Sequence, residues 1–287
     1  MFEMLTEDLM LVEEDGFYLP EVGDWADQKH SRFGYYASLF SVSMKKKWDC
    51  RVFMDLFAGA GKARIKQTGR IIPGSPLLTL SLETPFDRYV FCELDDQCMT
   101  ALRSRINKYF PSSATRLIDG DCNQQVQKII SAVPQFSKTH KGLTLCFVDP
   151  FKASALKFST LRAIAAALYV DFIVLIPSFM DIKRNEHIYT QDSCIILDEF
   201  LGTRNWRSTW ANGKTHFQDF AVFIADQFGQ QMKALGYHYD PEALVTVRIG
   251  EDRSLYLYHL GFFSRDELGV KFWKETMSRT SIQMNLL

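Results

Sequence analysis

Between Cys50 and Pro177, short β-type runs alternate with amphipathic segments, and this alternation restricts the fold more than any other feature of the chain. The runs at 51–56, 88–93, 115–119, 143–148 and 171–176 are each too short to be a lone buried helix. Between them Met99, Leu102, Ile106 and Tyr109 keep helical spacing, as do Val126, Ile129, Ile130 and Val133, and then Leu161, Ile164, Ala165 and Leu168. Strands that alternate with helices in this way make a parallel sheet with crossover helices. A chain of 287 residues that is 47% hydrophobic can bury the core such a sheet needs, as one large domain or one domain with an insertion.

After Pro177 the alternation stops. Two helices are expected near 193–201 and 219–235, and strand patterns return at 244–249 and 255–263 around the polar turn Gly250-Glu251-Asp252-Arg253, an arrangement that predicts an antiparallel hairpin. A last helix is expected from Asp266 to about Arg279. Five parallel strands closed by an antiparallel pair is the layout of class I methyltransferases that use S-adenosylmethionine (SAM). The expected fold class is therefore α/β and Rossmann-like, with a mostly parallel seven-stranded sheet, a C-terminal antiparallel hairpin and a helical insertion after the fifth strand at about 178–240. The α/β domain is expected over 50–287, preceded by a helical segment over 1–49 that packs near a cofactor and substrate cleft.

The first strand delivers Asp55 into the turn Leu56-Phe57-Ala58-Gly59-Ala60-Gly61. Read as a strand, a glycine-rich turn and a helix, it would set backbone N–H groups and a helix N-terminus beside the strand end, which suits an anionic or nucleotide-like ligand. Gly59 and Gly61 allow close backbone approach or positive φ, and Phe57 lies within the same loop. An ordinary tight turn has the same glycines, so the neighbours decide. Glu93 ends the second strand, where a carboxylate accepts ribose hydroxyls, and Leu94 beside it would cover one adenine face. Asp121, at the end of the third strand, would accept from the adenine amino group, with the Cys122 N–H directed at a ring nitrogen. Four acidic strand ends in order, Asp55, Glu93, Asp121 and Asp149, are hard to explain as helix caps alone. A dinucleotide fingerprint fits less well, because Arg64 stands where its third glycine belongs. So does a P-loop, because Ala63 follows Lys62 where a magnesium-binding hydroxyl is needed. The expected cofactor is SAM.

Other classes are limited by composition. With 33 basic and 34 acidic residues, no global field draws the chain to nucleic acid or an anionic membrane, so any such contact is a local patch. The six cysteines lack metal-site spacing, so no metal is expected, and they point to a reducing compartment. No apolar stretch has the length a bilayer needs, and a cytoplasmic location without membrane contact is the expectation.

These residues together resemble a known group, the three-Cys-motif partner proteins. The matching pieces are Phe53-Met54-Asp55-Leu56-Phe57-Ala58-Gly59-Ala60-Gly61, Gly74-Ser75-Pro76-Leu77-Leu78, Tyr89-Val90-Phe91-Cys92-Glu93-Leu94-Asp95, Gly120-Asp121-Cys122-Asn123, Cys146-Phe147-Val148-Asp149-Pro150-Phe151 and Leu255-Tyr256-Leu257-Tyr258. They run over most of the chain. The resemblance implies a SAM-methyltransferase-like protein that works beside a radical-SAM-like partner, to which the three cysteines of the motif belong.

For the chemistry, Asp149 would hydrogen-bond an acceptor amino or hydroxyl group, the Pro150 carbonyl would take a second proton, and Phe151 would stack on a base. This is similar to the Asp-Pro-Pro-aromatic motif of amino-group nucleic-acid methyltransferases, with one proline fewer; Asp149-Pro150 can equally end a strand and cap the next helix. Cytosine carbon-5 chemistry is set aside, since the chain has no Pro-Cys pair. Lys29, Lys62, Arg64, Arg70, Lys183 and Arg184 are expected to form a basic rim near Tyr35, Tyr36 and Trp48, suited to DNA or RNA bases. The segment from Pro177 to Arg184 follows the fifth strand and is expected to face the acceptor, which makes Lys29, Tyr35, Ser178 and Arg184 the candidate substrate contacts. The expected activity is methyl transfer from SAM to a nucleic-acid amino group, with a non-catalytic recognition subunit as the alternative.

Overall fold

The computed structural model describes residues 12–213, 217–249 and 255–284. The expected turn at Gly250-Glu251-Asp252-Arg253 lies outside them. The chain divides into two compact units, Met1–Phe147 and Val148–Leu287. In chain order the elements of the first are β1 (Glu21–Val22), α1 (Trp25–Met44), β2 (Cys50–Asp55), β3 (Lys62–Ile65), β4 (Ile71–Pro73), α2 (Ser75–Leu80), β5 (Arg88–Glu93), α3 (Asp96–Tyr109), β6 (Thr115–Asp119), α4 (Val126–Ala132) and β7 (Gly142–Val148), which ends one residue past the division. Those of the second are α5 (Phe158–Ala167), β8 (Val170–Ile176), α6 (Glu186–Tyr189), α7 (Ile196–Leu201), α8 (Asn205–Ala211), α9 (Phe220–Ala234), β9 (Val245–Ile249), β10 (Leu255–Phe263) and α10 (Glu267–Met284). Seven strands form a mostly parallel sheet in the order β6-β5-β2-β7-β8-β10-β9, the α/β layout expected from the alternation.

In the first unit β2 pairs in parallel with β5 and β7, and β5 with β6. Every residue of β2 and β7 is buried, as for central strands covered on both faces. Against them α1 lays Phe33, whose ring stacks on Phe147 at 4.2 Å and lies 5.7 Å from Phe53. Each such buried aromatic contributes about 1.5–3 kcal/mol. The end of α1 is tied to the sheet by Arg51, which donates from Nη1 to the Ser41 carbonyl at 2.9 Å and from Nε to Asp87 at 3.0 Å.

One expectation fails here. The glycine loop runs into a strand, not a helix: β3 pairs antiparallel with β4 and parallel with β1, around a small core of Ala26, Ala63, Ile65 and Ile72. The reason is local. Lys62-Ala63-Arg64-Ile65 alternates side chains, Gly69 turns the chain at φ +71°, and Ile71-Ile72 returns it. A helix starts only after Gly74, with Pro76 in its first turn where a missing N–H does no harm.

In the second unit β10 lies antiparallel to both β8 and β9, as the expected hairpin requires. Here α9 is amphipathic and sets Phe228 within 5.6 Å of Phe158, 5.1 Å of Phe200 and 6.0 Å of Phe263. On α10, Trp273 stacks on Phe262 at 5.5 Å and donates from its indole to the Ala243 carbonyl at 3.0 Å. Among the described residues no helix is long and apolar enough to cross a membrane.

Candidate functional site

Three strand ends of the first unit are stitched together by backbone groups of the glycine loop. The Leu56 N–H donates to the Phe147 carbonyl at 3.1 Å and the Ala58 N–H to the Cys92 carbonyl at 3.0 Å. The Gly120 N–H, from the turn after β6, donates to the Glu93 carbonyl at 2.9 Å. Asp55, Glu93 and Asp121 therefore gather at one edge, as the C-terminal ends of neighbouring parallel strands must.

Each carboxylate first orders its own turn. Asp55 is fully buried; its Oδ1 accepts the Phe57 N–H at 3.0 Å and its Oδ2 the Ser75 hydroxyl at 2.6 Å. The segment Gly74-Ser75-Pro76 closes the loop from behind, since the Gly74 N–H also donates to the Gly61 carbonyl at 2.7 Å. Asp121 Oδ1 accepts the Asn123 N–H at 2.9 Å and its side-chain amide at 2.8 Å. Glu93 reaches across to the loop, taking the Gly59 N–H on Oε2 at 2.7 Å and the Asp95 N–H on Oε1 at 2.8 Å.

The loop glycines differ. Both have positive φ, +64° at Gly59 and +82° at Gly61. A Cβ at Gly59 would meet nothing within 4 Å, whereas one at Gly61 would come within 3.0 Å of Leu102 and 3.3 Å of Leu77. Gly59 thus borders open space beside the Glu93 carboxylate, and Leu94 next to it is 66% exposed. A carboxylate with lone pairs to spare, an exposed apolar side chain and an open backbone suit a ligand with a ribose diol and a flat ring. Cys122 is buried, and burial followed by the nearby Asp121 charge pushes its thiol up to about 12, so only its backbone is available to a ligand.

Asp149-Pro150-Phe151 follows the last strand of that series, β7, and is described within the second unit. Asp149 is half-buried and Pro150 buried, while Phe151 is 65% exposed with the Lys152 ammonium 5.2 Å from its ring centre. The turn after it is held by Asp181, a residue whose role the sequence did not reveal. Asp181 is buried and accepts the Ala153 N–H at 2.7 Å, the Asn185 amide at 2.8 Å and the Tyr189 hydroxyl at 2.9 Å. Arg184, three residues on, is exposed, whereas Asp181 points inward.

Ser178 does not lie at the surface either. Its hydroxyl donates to the Ile176 carbonyl at 3.0 Å and lies 2.7 Å from His259 Nδ1. Burial pulls His259 down to about 4, so the ring is neutral and shares a single hydrogen with the serine oxygen. Beside it, Phe179 lies 5.3 Å from Tyr256, with Lys183 over its ring at 5.5 Å.

The expected basic rim is also redrawn. Lys62 is buried against Asp15 at 3.1 Å, Arg64 pairs with Glu14 at 3.1 Å, Arg70 with Asp27 and Lys183 with Asp219. Lys29 is buried, with its ammonium 5.1 Å from the Trp25 ring centre; Tyr36 is in the core and Tyr35 half-buried. Arg105, on the buried face of α3, was missed. A charged residue three positions after Leu102 and four after Ala101, inside an apolar stripe, was the available signal.

The chain matches no known family model and no curated protein. Among solved structures it is similar to protein LPL1258 from Legionella pneumophila, at 11% identity and a TM-score of 0.49 over 89% of this chain and 92% of that one. It is similar to the O-methyltransferase TomG from Streptomyces achromogenes in complex with SAM, at 9% identity and 0.42 over 90% and 93%. The O-methyltransferase from Bacillus cereus in complex with S-adenosylhomocysteine (SAH) is matched at 11% and 0.42 over 92% and 90%.

Proposed function

We propose that this chain is a SAM-dependent methyltransferase acting on an amino group of a nucleic-acid base. The observation that carries the reading is the contact between Glu93 and the Gly59 N–H at 2.7 Å, beside exposed Leu94 and the open side of Gly59. It joins the ends of two neighbouring strands into one receptor: carboxylate for a ribose diol, apolar side chain for adenine, bare backbone for the rest. Asp149, Pro150 and Phe151 are assigned to the acceptor. The support for a flat acceptor is aromatic and basic: exposed Phe151 beside Lys152, and Phe179 with Tyr256 beneath Lys183. Methyl transfer needs the acceptor in line with the sulfonium, and positioning supplies much of the rate.

A second reading makes the chain a non-catalytic recognition subunit for a radical-SAM-like three-Cys-motif protein. It is favoured by the commitment of both Glu93 oxygens to backbone N–H groups. Calorimetry with SAM and SAH separates the two. Binding of both, weakened at least tenfold in Glu93→Ala, is the expected result; no binding removes the enzyme reading. Tritiated-methyl transfer to RNA, DNA and protein then tests the acceptor. Label in nucleic acid, lost in Asp149→Ala with SAH binding intact, is expected, and label in protein alone refutes the acceptor class.

A further inference from the structure

A buried cluster of charges in the first unit lies behind the glycine loop, and no role proposed above uses it. The Lys62 and Arg105 side chains are fully buried and the Asp15 side chain is 2% exposed. Asp15 holds Arg105 in a two-pronged fork, Nη2 to Oδ1 at 2.8 Å and Nε to Oδ2 at 2.9 Å. The same Oδ2 lies 3.1 Å from Lys62 Nζ and accepts from the Tyr109 hydroxyl at 3.3 Å. Burial alone would raise the Asp15 carboxyl, but the hydrogen bonds from Arg105 and Lys62, together with their charges, hold it well below the usual carboxylate range.

One cation touches the loop and the other follows it in the chain. Arg105 Nη1 donates to the Ala60 carbonyl at 2.6 Å and to the Tyr18 carbonyl at 2.9 Å. Lys62 is the residue directly after Gly61, and its Nζ donates to the Glu13 carbonyl at 3.0 Å. A trans peptide points its N–H opposite to its C=O, so a carbonyl of Ala60 fixed on Arg105 also fixes where the Gly61 N–H points. Gly61 at positive φ can turn either way unless something holds it.

We propose that Asp15 is a positioning residue for the glycine loop: through Arg105 and Lys62 it sets the Ala60–Gly61 peptide in the orientation that receives the adenosyl cofactor. The cofactor part rests on the reading under Proposed function; the loop part does not. Charge balance makes it more than packing. With Asp15, one carboxylate faces two buried cations; Asp15→Asn takes that carboxylate from both, while removal of Lys62 as well leaves one buried cation fewer.

Two readouts test this on the full chain: the SAH dissociation constant, and hydrogen exchange of the amides at 57–62 against those of β7. Asp15→Asn is expected to weaken SAH at least tenfold and to speed loop exchange selectively. The pair Asp15→Asn with Lys62→Met is expected to recover most of both losses, a rescue that a purely steric role does not produce. If Asp15→Asn does not fold, Arg105→Lys replaces it, since it keeps the charge and loses the fork; the same loop effects are expected. Arg103→Ala, on the exposed side of α3, should change neither readout. SAH affinity within twofold of wild type with unchanged loop exchange, or a double variant no better than the single, overturns the proposal. Should wild type not bind SAH at all, the cofactor reading fails, and loop exchange alone decides: faster exchange in Asp15→Asn supports the positioning role, equal exchange refutes it.

Discussion

Asp15 in the first unit and Asp171 in the second are both carboxylates taken out of water, and they answer burial in opposite ways. Asp15 keeps its charge because two cations meet it. Asp171, within β8, has no such pair: burial raises it to about 7, a hydrogen bond with Ser264 pulls the other way, and Asp266 and Arg265 act in opposite directions. At the loop assigned to a ligand a buried carboxylate stays ionised against two cations, whereas in β8 a buried carboxylate takes up a proton.

A depressed native carboxyl such as Asp15 stabilises the fold above its unfolded value and loses that contribution as pH falls. For a raised one such as Asp171, the native state holds the proton longer, so stability drops as pH climbs from about 4 to about 7. Asp15→Asn should therefore lose about 3–5 kcal/mol at pH 7. Asp171→Asn should instead gain relative to wild type on going from pH 5 to pH 8, by about 2–3 kcal/mol, with most of the change complete by pH 7. Denaturant titrations at both pH values check this: the difference from wild type should stay flat for Asp15→Asn and change for Asp171→Asn, and a difference that stays flat for both would remove the contrast.

A smaller effect sharpens it within the loop itself. Alanine at Gly59 meets only the penalty of left-handed backbone, about 1–2 kcal/mol. Alanine at Gly61 meets that penalty and also Leu102 and Leu77, so it should cost measurably more. Denaturation midpoints of the two variants isolate packing from strain. Equal losses would mean that the face of the loop toward α3 is not the held one.

The sheet was legible because alternation and strand length are local properties, and β5 and β6 fall at the residues expected. The hairpin β3–β4 was not, because a four-residue strand after a glycine turn resembles the start of a helix until its partner is seen. At the site, Asp55, Glu93 and Asp121 could be found as carboxylates at strand ends. Their partners could not: Arg105 lies 90 residues from Asp15 and Asp181 lies 28 from Ala153, distances that no periodicity spans. The rim of Lys62, Arg64 and Lys183 failed for the same reason, since each cation meets a carboxylate that sequence spacing does not announce.

The smallest expected stability change belongs to Phe151, and it is the most telling about function. A ring that is 65% exposed contributes little to the fold, so Phe151→Ala should stay within about 0.5 kcal/mol of wild type. If it stacks on an acceptor base, its removal should leave SAH affinity unchanged while the apparent KM for nucleic acid rises about tenfold, and Phe151→Tyr should restore it, because stacking needs a ring face and not a particular edge. A KM equal to wild type in Phe151→Ala would leave the exposed ring without a part in recognition. The acceptor would then have to be sought at Phe179 and Tyr256, an aromatic pair that Lys183 accompanies.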